Sequence, residues 1–435
     1  IDSYTQALKI KPDYQAALAA KLYQQAHICD WVGIENDKKL IPGLGTSLQK
    51  VSPFELMALE DSPNRHRLRS EIYTKNDYPQ KPLSLLPRPT QKPKRLRIGY
   101  FSADFNEHPV AYLIVKMLAL HDRTKFHVYA YSFGNEINNQ MCKKISDAVE
   151  VFKDVRGLNE KEIACLAHQD NIDIAIDLNG YTRHARSAIF AFRAAPIQIN
   201  YLGYPGTMGA EFIDYIIADN ILIPSNFRKY YSEKIIYLPN TYMPTDNTRK
   251  ISSNPITRPQ MGLPETGFVF CCFNNNYKIS SAEFDIWMRL LGKVRNSVLW
   301  LRKSNDWSVL NFIREAKKRG IDSSRLIFAD RVPMDEHLAR HKLADLFLDT
   351  FSFNAHTTAT EALWSGLPVV TKLGKSFAAR VAGSLLTSIG MSDLITKTEG
   401  EYEALIYDLA TNPEKLKIIR SKISKNRQSS PLFDT

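Results

Sequence analysis

Asn354-Ala355-His356-Thr357-Thr358-Ala359-Thr360-Glu361-Ala362-Leu363-Trp364-Ser365-Gly366-Leu367-Pro368 joins two short apolar runs, Leu346 to Asp349 before it and Pro368 to Thr371 after it. The spacing predicts a strand closed by Asp349, a short loop, a helix opening at Thr357 and stopping at Gly366, and then a second strand. That order is a βαβ crossover, the unit of a parallel sheet. The helix start has free N–H groups and the positive end of its dipole, so it can take an anion, and the Thr357 and Thr358 hydroxyls suit a diphosphate. Glu361, one turn in, can accept from ribose hydroxyls. The plainer reading is Thr as a helix cap and Glu as a dipole partner.

The same rhythm extends in both directions. Apolar runs at Phe268 to Phe273, Val298 to Arg302 and Leu326 to Ala329 complete one doubly wound unit. Leu96 to Phe101, Phe126 to Phe133, Ile172 to Leu178, Ile197 to Leu202, Tyr215 to Ala218 and Lys234 to Leu238 make another. Runs without strict alternation suit strands buried on both faces. A polar break from Pro244 to Pro259 separates the units. The expectation is an α/β protein with two Rossmann-like domains, 96–245 and 262–435, whose strand C-termini face a cleft.

Upstream, Tyr4, Ala7, Leu8 and Pro12 followed by the alanine-rich stretch Tyr14 to Tyr23 fit part of a tetratricopeptide repeat. A solenoid repeat cannot bury its apolar face without neighbours, and Ile1-Asp2-Ser3-Tyr4 lacks an initiator Met, so residues 1–57 read as the remnant of a longer repeat array. Pro79, Pro82, Pro87, Pro89 and Pro93 predict a stiff linker over 58–95.

Composition excludes a membrane span: 44% hydrophobic and 24% charged residues, with no run of about 18 apolar residues. Five scattered cysteines without a CxxC predict no zinc site and a reducing, cytoplasmic setting. The net charge of +11 admits nucleic acid, an anionic membrane or a polyanionic small molecule. Its basic runs, Lys92, Lys94, Arg95 and Arg97 and then Lys415 to Arg427, lack interleaved aromatics and read as a solvated face. No nucleic-acid or membrane partner is expected.

HTTATEALWSGLPVVT, FNNNYKI, LGYPGTMGAEFIDYIIAD, DFNEHPVAYL, RNSVLWLRK and SSPLFDT occur here. Together they resemble successive signature blocks of the protein O-GlcNAc transferase family, in order from about Leu96 to Thr435. The resemblance implies a GT-B type glycosyltransferase that moves N-acetylglucosamine from UDP-GlcNAc to Ser or Thr hydroxyls of intracellular proteins, with inversion. It implies Lys278 on the diphosphate, and transfer places growing charge on that group. No D-x-D occurs in the chain, so lysine and helix start would replace a metal ion. His337 would pack on the uracil with Arg340 beside it, the Val332 backbone would read the base edge, and Asn275 and His356 would complete the nucleotide site. Met334 and Asn275 stand where animal members have lysine and glutamine, and Glu361 where most members have aspartate.

His108, before Pro109 and just past the first strand, matches the proposed general base, and imidazole suits that role near neutral pH. A loop histidine is as readily a cap. Asp177, closing its strand before Asn179-Gly180-Tyr181, is the second candidate, and Tyr181 stands where many relatives have His. The Gly203 to Gly209 turn reads as a cleft-lining loop or a structural one. Alternatives are protein O-fucosylation from GDP-fucose by related Spindly-type enzymes, UDP-glucose as donor, or an inactive repeat scaffold. Spindly-type sequences have glycine at the place of His356 and lack His108-Pro109.

Overall fold

The structure is a computed structural model describing residues 1–84, 93–135 and 139–435. Pro87, Pro89 and Lys92 lie outside the described residues. Thirteen strands form two all-parallel sheets among the described residues. The first holds β1 (Leu96–Ser102), β2 (Phe126–Ser132), β3 (Val151–Asp154), β4 (Ile174–Asp177), β5 (Ile197–Asn200), β6 (Tyr215–Ala218) and β7 (Lys234–Tyr237), in the order β3-β2-β1-β4-β5-β6-β7. The second holds β8 (Val269–Cys272), β9 (Val298–Arg302), β10 (Leu326–Ala329), β11 (Leu346–Leu348), β12 (Val369–Lys372) and β13 (Ile395–Thr396), in the order β10-β9-β8-β11-β12-β13.

Each sheet winds outward from a central pair, β1 with β4 and β8 with β11. Where strand order reverses, the loops leaving neighbouring strands go to opposite faces and open a crevice for ligands. The sequence places its candidates there: His108 follows β1 and Asp177 closes β4, while Lys278 and the Thr357 helix follow β8 and β11. The strands are pinned by their side chains, as where Phe101 and Tyr131, partners in register, stack with centroids 4.4 Å apart.

The chain forms two compact units, neither continuous in sequence. The N-terminal α/β unit comprises 45–54, 63–247 and 432–435; the C-terminal α/β unit comprises 1–44, 55–62 and 248–431. The first helices, Asp2–Ile10 and Gln15–His27, therefore pack with the second sheet's unit. The stretch expected to be a linker from residue 58 instead contains a 15-residue helix, Pro63–Asp77. That helix accounts for Gly209 of the Gly203 to Gly209 turn, and the backbone after β4 accounts for Gly203. Gly209 has φ of +59°, and a Cβ there would sit 2.4 Å from the Glu71 amide nitrogen; at Gly203 it would sit 1.9 Å from the Leu178 carbonyl oxygen. The turn is a site of close backbone approach.

Candidate functional site

In the C-terminal unit the site grows from two strand ends. β8 runs into Phe273 and Asn274, both buried, and then into the tight turn Asn276–Lys278. β11 runs into Asp349, a loop, and the helix Thr357–Trp364. Asn274 ties them: its Nδ2 donates to Thr350 Oγ1 at 2.9 Å, and its Oδ1 accepts from the Thr358 hydroxyl at 2.5 Å. Asp349 folds the loop by accepting from the amides of Thr350 and Ala355 and, through its other oxygen, from the Thr371 hydroxyl at 2.6 Å. Burial pushes the Asp349 carboxyl up to about 7.

Lys278 is set against this loop. Its Nζ donates to the Asn354 carbonyl at 3.0 Å and lies 4.0 Å from the Phe353 ring centre. Burial lowers its pKa to about 8, against the pull of Asp349 and Cys272 in the other direction. The N–H groups of Thr357 and Thr358 have no partner among the described residues. The Thr358 hydroxyl proton is already given to Asn274, so of the two expected hydroxyl donors only Thr357 has its proton uncommitted. His356 bonds the Ala378 carbonyl through Nε2 at 3.2 Å; burial, with the Lys278 ammonium, keeps the imidazole neutral. Asn275 is exposed, and its Oδ1 accepts from Arg302.

Beside these sits a chain of buried polar groups. Arg340 Nε donates to His337 Nδ1 at 3.0 Å, which leaves the proton on Nε2, 3.3 Å from Glu361 Oε2. Arg340 also donates to the Asp330 carbonyl at 2.7 Å and lies over the Phe273 ring at 4.8 Å; burial lowers it to about 10, still charged. The sequence reading had Glu361 facing a ligand. Its side chain is instead 6% exposed, between His337 and Arg249 Nη1 at 3.9 Å. Val332 is half-buried, and neither its N–H nor its C=O has a partner among the described residues.

In the N-terminal unit His108 caps the helix Pro109–Leu120, its Nδ1 accepting from the Val110 amide at 3.3 Å and lying 3.6 Å from Asp104 Oδ2. The side chain is 41% exposed, and burial of the rest holds its pKa down while Asp104 raises it. Asp177 is different. Its Oδ1 accepts from the amides of Asn179 and Gly180, its Oδ2 is buried without a partner among the described residues, and burial pushes it up to about 6. The carboxylate shapes the turn and is buried. Tyr181 is also a core residue, its hydroxyl donating to the Met208 carbonyl at 2.6 Å.

Four site residues had no assigned role in the sequence: Asn274, Asp349, Asp104 and Asn179. Asn179 accepts from the Ala103 amide at 2.7 Å and donates to Asp104 at 2.6 Å, so it joins the loops after β1 and β4. A polar residue directly after a buried strand was the available signal. A cavity of about 1050 Å³ in the same unit, lined by Arg67, Lys75, Arg193 and Lys234, contains none of the expected site residues. It includes the first residues of β5, β6 and β7, the strand ends away from the loops just described. Among the described residues no group of three or more His, Cys, Asp or Glu is placed to hold a metal ion, and no helix is long and apolar enough to cross a membrane.

The chain is 38% identical over 348 residues to the probable "UDP-N-acetylglucosamine--peptide N-acetylglucosaminyltransferase SEC" of Arabidopsis thaliana, covering 79% of this chain and 36% of that protein. It is 30% identical over 457 residues to the Caenorhabditis elegans protein of that activity name, covering 79% and 40%. With the SPINDLY protein of Arabidopsis thaliana it shares 32% over 351 residues, covering 78% and 37%. The chain thus spans two-fifths or less of the length of these relatives. Among solved structures, a mutant of the Thermobaculum terrenum O-GlcNAc transferase matches with TM-score 0.80 and 26% identity, over 99% of this chain and 76% of that one. Anabaena HepE, solved with UDP and glucose, matches in fold, with TM-score 0.54 and 15% identity over 78% of this chain and 97% of that one. The fold is the GT-B type, two Rossmann-like domains accompanied by an N-terminal helical region. The family model for glycosyl transferase family 41 matches residues 76–253 and 246–435, nearly the whole of the two sheets and their helices, and the chain belongs to that family.

Proposed function

We propose that this chain is the catalytic region of a protein O-GlcNAc transferase. It moves N-acetylglucosamine from UDP-GlcNAc to Ser or Thr hydroxyls of intracellular proteins, with inversion and without a bound metal ion. The observation that carries the reading is Lys278, an ammonium held beside the start of the helix Thr357–Trp364 at the reversal of strand order. When the bond to the sugar breaks, the β-phosphate gains charge. A fixed ammonium and the Thr357 and Thr358 N–H groups stabilise that charge with no reorganisation. The missing D-x-D supports the same view.

The nucleoside is held by His337, Arg340, Glu361 and the open backbone groups of Val332, with Asn275 and His356 flanking the diphosphate. Glu361 acts here through His337, whose tautomer it fixes, and meets ribose only by exchanging part of that contact. His108 is the base. To act, His108 exchanges the contact of Nδ1 with the Val110 amide for an Nδ1–H donated to Asp104; Nε2 then carries the lone pair and takes the proton of the acceptor hydroxyl, and the Asp104 carboxylate stabilises the imidazolium. Asp177 supports this by holding Asn179, which holds Asp104.

The test is transfer to peptide from a panel of UDP- and GDP-sugars with EDTA present, reading the product's anomeric configuration by NMR. UDP-GlcNAc as best donor, β-linked product and unaltered turnover in EDTA are expected. Preference for GDP-fucose would favour the other chemistry raised by the SPINDLY relatives. Loss of turnover on chelation, restored by Mn²⁺, would sink the metal-free mechanism, and no transfer from any donor would leave a scaffold.

A further inference from the structure

The turn that carries Lys278 rests on the N-terminal helical segment, across some 250 residues of sequence. Trp31 Nε1 donates to the Ile279 carbonyl at 3.0 Å, and the Cys29 thiol points to the Asn276 carbonyl at 3.8 Å. The Tyr277 ring packs against His27 at 5.0 Å and Tyr23 at 5.5 Å. On its other side, at 6.0 Å, is Phe353, the ring that underlies the Lys278 ammonium. The segment is itself fastened from behind: Asn305 donates to the His27 carbonyl at 3.0 Å and Asn311 to the Ile28 carbonyl at 2.7 Å.

Every residue of the turn except Lys278 itself is therefore braced by residues 23–31. A three-residue 3-10 turn has few bonds of its own to fix its shape, so these contacts set where the ammonium points. We propose that Trp31, with Tyr23 and His27, is a positioning element for Lys278, so that the helical segment controls leaving-group stabilisation. The inference rests on the reading that Lys278 serves the leaving group. A rigid brace acts on the transition state more than on the bound donor, because the ground-state diphosphate is shared among several groups.

The experiment is a double-mutant cycle on the full chain with Trp31→Phe, which keeps a ring against Phe284 and removes the indole donor, and Lys278→Ala. Single-turnover rates are measured at saturating UDP-GlcNAc, and donor KM alongside. Trp31→Phe is expected to slow turnover about tenfold, within the range that a 1 Å misplacement costs. Donor KM is expected to stay within about twofold of the parent. In the Lys278→Ala background the same change is expected to slow turnover by less than about twofold, since the group it positions is gone. If Lys278→Ala is slow but Trp31→Phe turns over normally, or the two losses multiply, the positioning role is overturned while the leaving-group reading stands. If Lys278→Ala is as fast as the parent, that reading falls and this inference with it. Should Trp31→Phe not fold, His27→Ala takes its place in the same cycle, with the same outcomes decisive.

Discussion

At Lys278 the fold keeps a cation partly out of water, and its pKa near 8 shows the strain of doing so. Lys278→Ala is expected to cut the single-turnover rate at saturating donor by about 10² to 10³, the usual cost of losing a transition-state donor, with far less effect on UDP affinity. A mutant rate within about threefold of the parent would remove Lys278 from the mechanism. The free enzyme needs the ammonium form, so kcat/KM is expected to fall as pH rises through about 8. The groups facing it are the Asp349 carboxyl, the Cys272 thiol and the neutral His356, and only Asp349 brings a charge near neutrality. An alkaline limb that stays put in Lys278→Ala would assign it elsewhere. Glu361 is the other residue whose environment changes the expectation. Because it is buried between His337 and Arg249, Glu361→Ala is expected to lower stability as well as UDP affinity, each by about 1.5 to 3 kcal/mol, the range for a hydrogen bond to a charged group. Glu361→Gln, similar in shape, should recover most of the stability and little of the affinity. Denaturant titration and calorimetry separate the two.

Among the elements, strands were the easiest to read. β6, β9 and β10 match their apolar runs residue for residue, because a strand covered on both faces has no reason to alternate. β3 and β13 were missed for the converse reason: β3 is a half-buried edge strand bearing Lys153 and Asp154, and β13 has two residues. The helix Pro63–Asp77 escaped because the residues it buries are His66, Arg69, Ser70 and Thr74, so it shows no apolar stripe. In the candidate site, the positions of Lys278 and the Thr357 helix start after β8 and β11 were legible from the apolar runs before them, whereas His337 was singled out by the resemblance alone. Asn274, Asp349 and Asn179 were not legible, since each acts by joining loops some 75 residues apart, a pairing that only the sheet order creates. Asn274→Ala is the test at this scale. It leaves the Thr358 hydroxyl without its acceptor and removes the donor to Thr350 Oγ1, so a stability loss of about 1 to 3 kcal/mol is expected, with weaker UDP binding as the helix start loosens. Equal UDP affinity in calorimetry would show that the helix start holds its place without Asn274.

Across the whole molecule, sequence order and spatial order part company. Residues 1–44 read as a repeat remnant, yet they belong to the unit built on residues 248–431. Removing them would uncover the faces of Phe284, Phe312 and Tyr277 that Trp31, Tyr23 and His27 cover. A truncated chain starting at residue 45 is therefore expected to melt at lower temperature than the parent and to aggregate above its transition; an unchanged melting curve would show the segment to be an appendage. The N-terminal unit has the opposite arrangement at the other end. Its last four residues, 432–435, return after the whole of the other unit, and the Thr245 hydroxyl donates to the Leu432 carbonyl while the Thr435 hydroxyl donates to the Thr245 carbonyl. During synthesis this has a timing consequence. At about 5 to 20 residues per second, roughly 10 to 40 seconds separate the emergence of residue 247 from that of residue 435. Through that interval the nascent N-terminal unit stands finished in its seven strands but unlatched at Thr245. Residues 1–44 wait longer still, since the rest of their own unit, 248–431, is made only in that same interval.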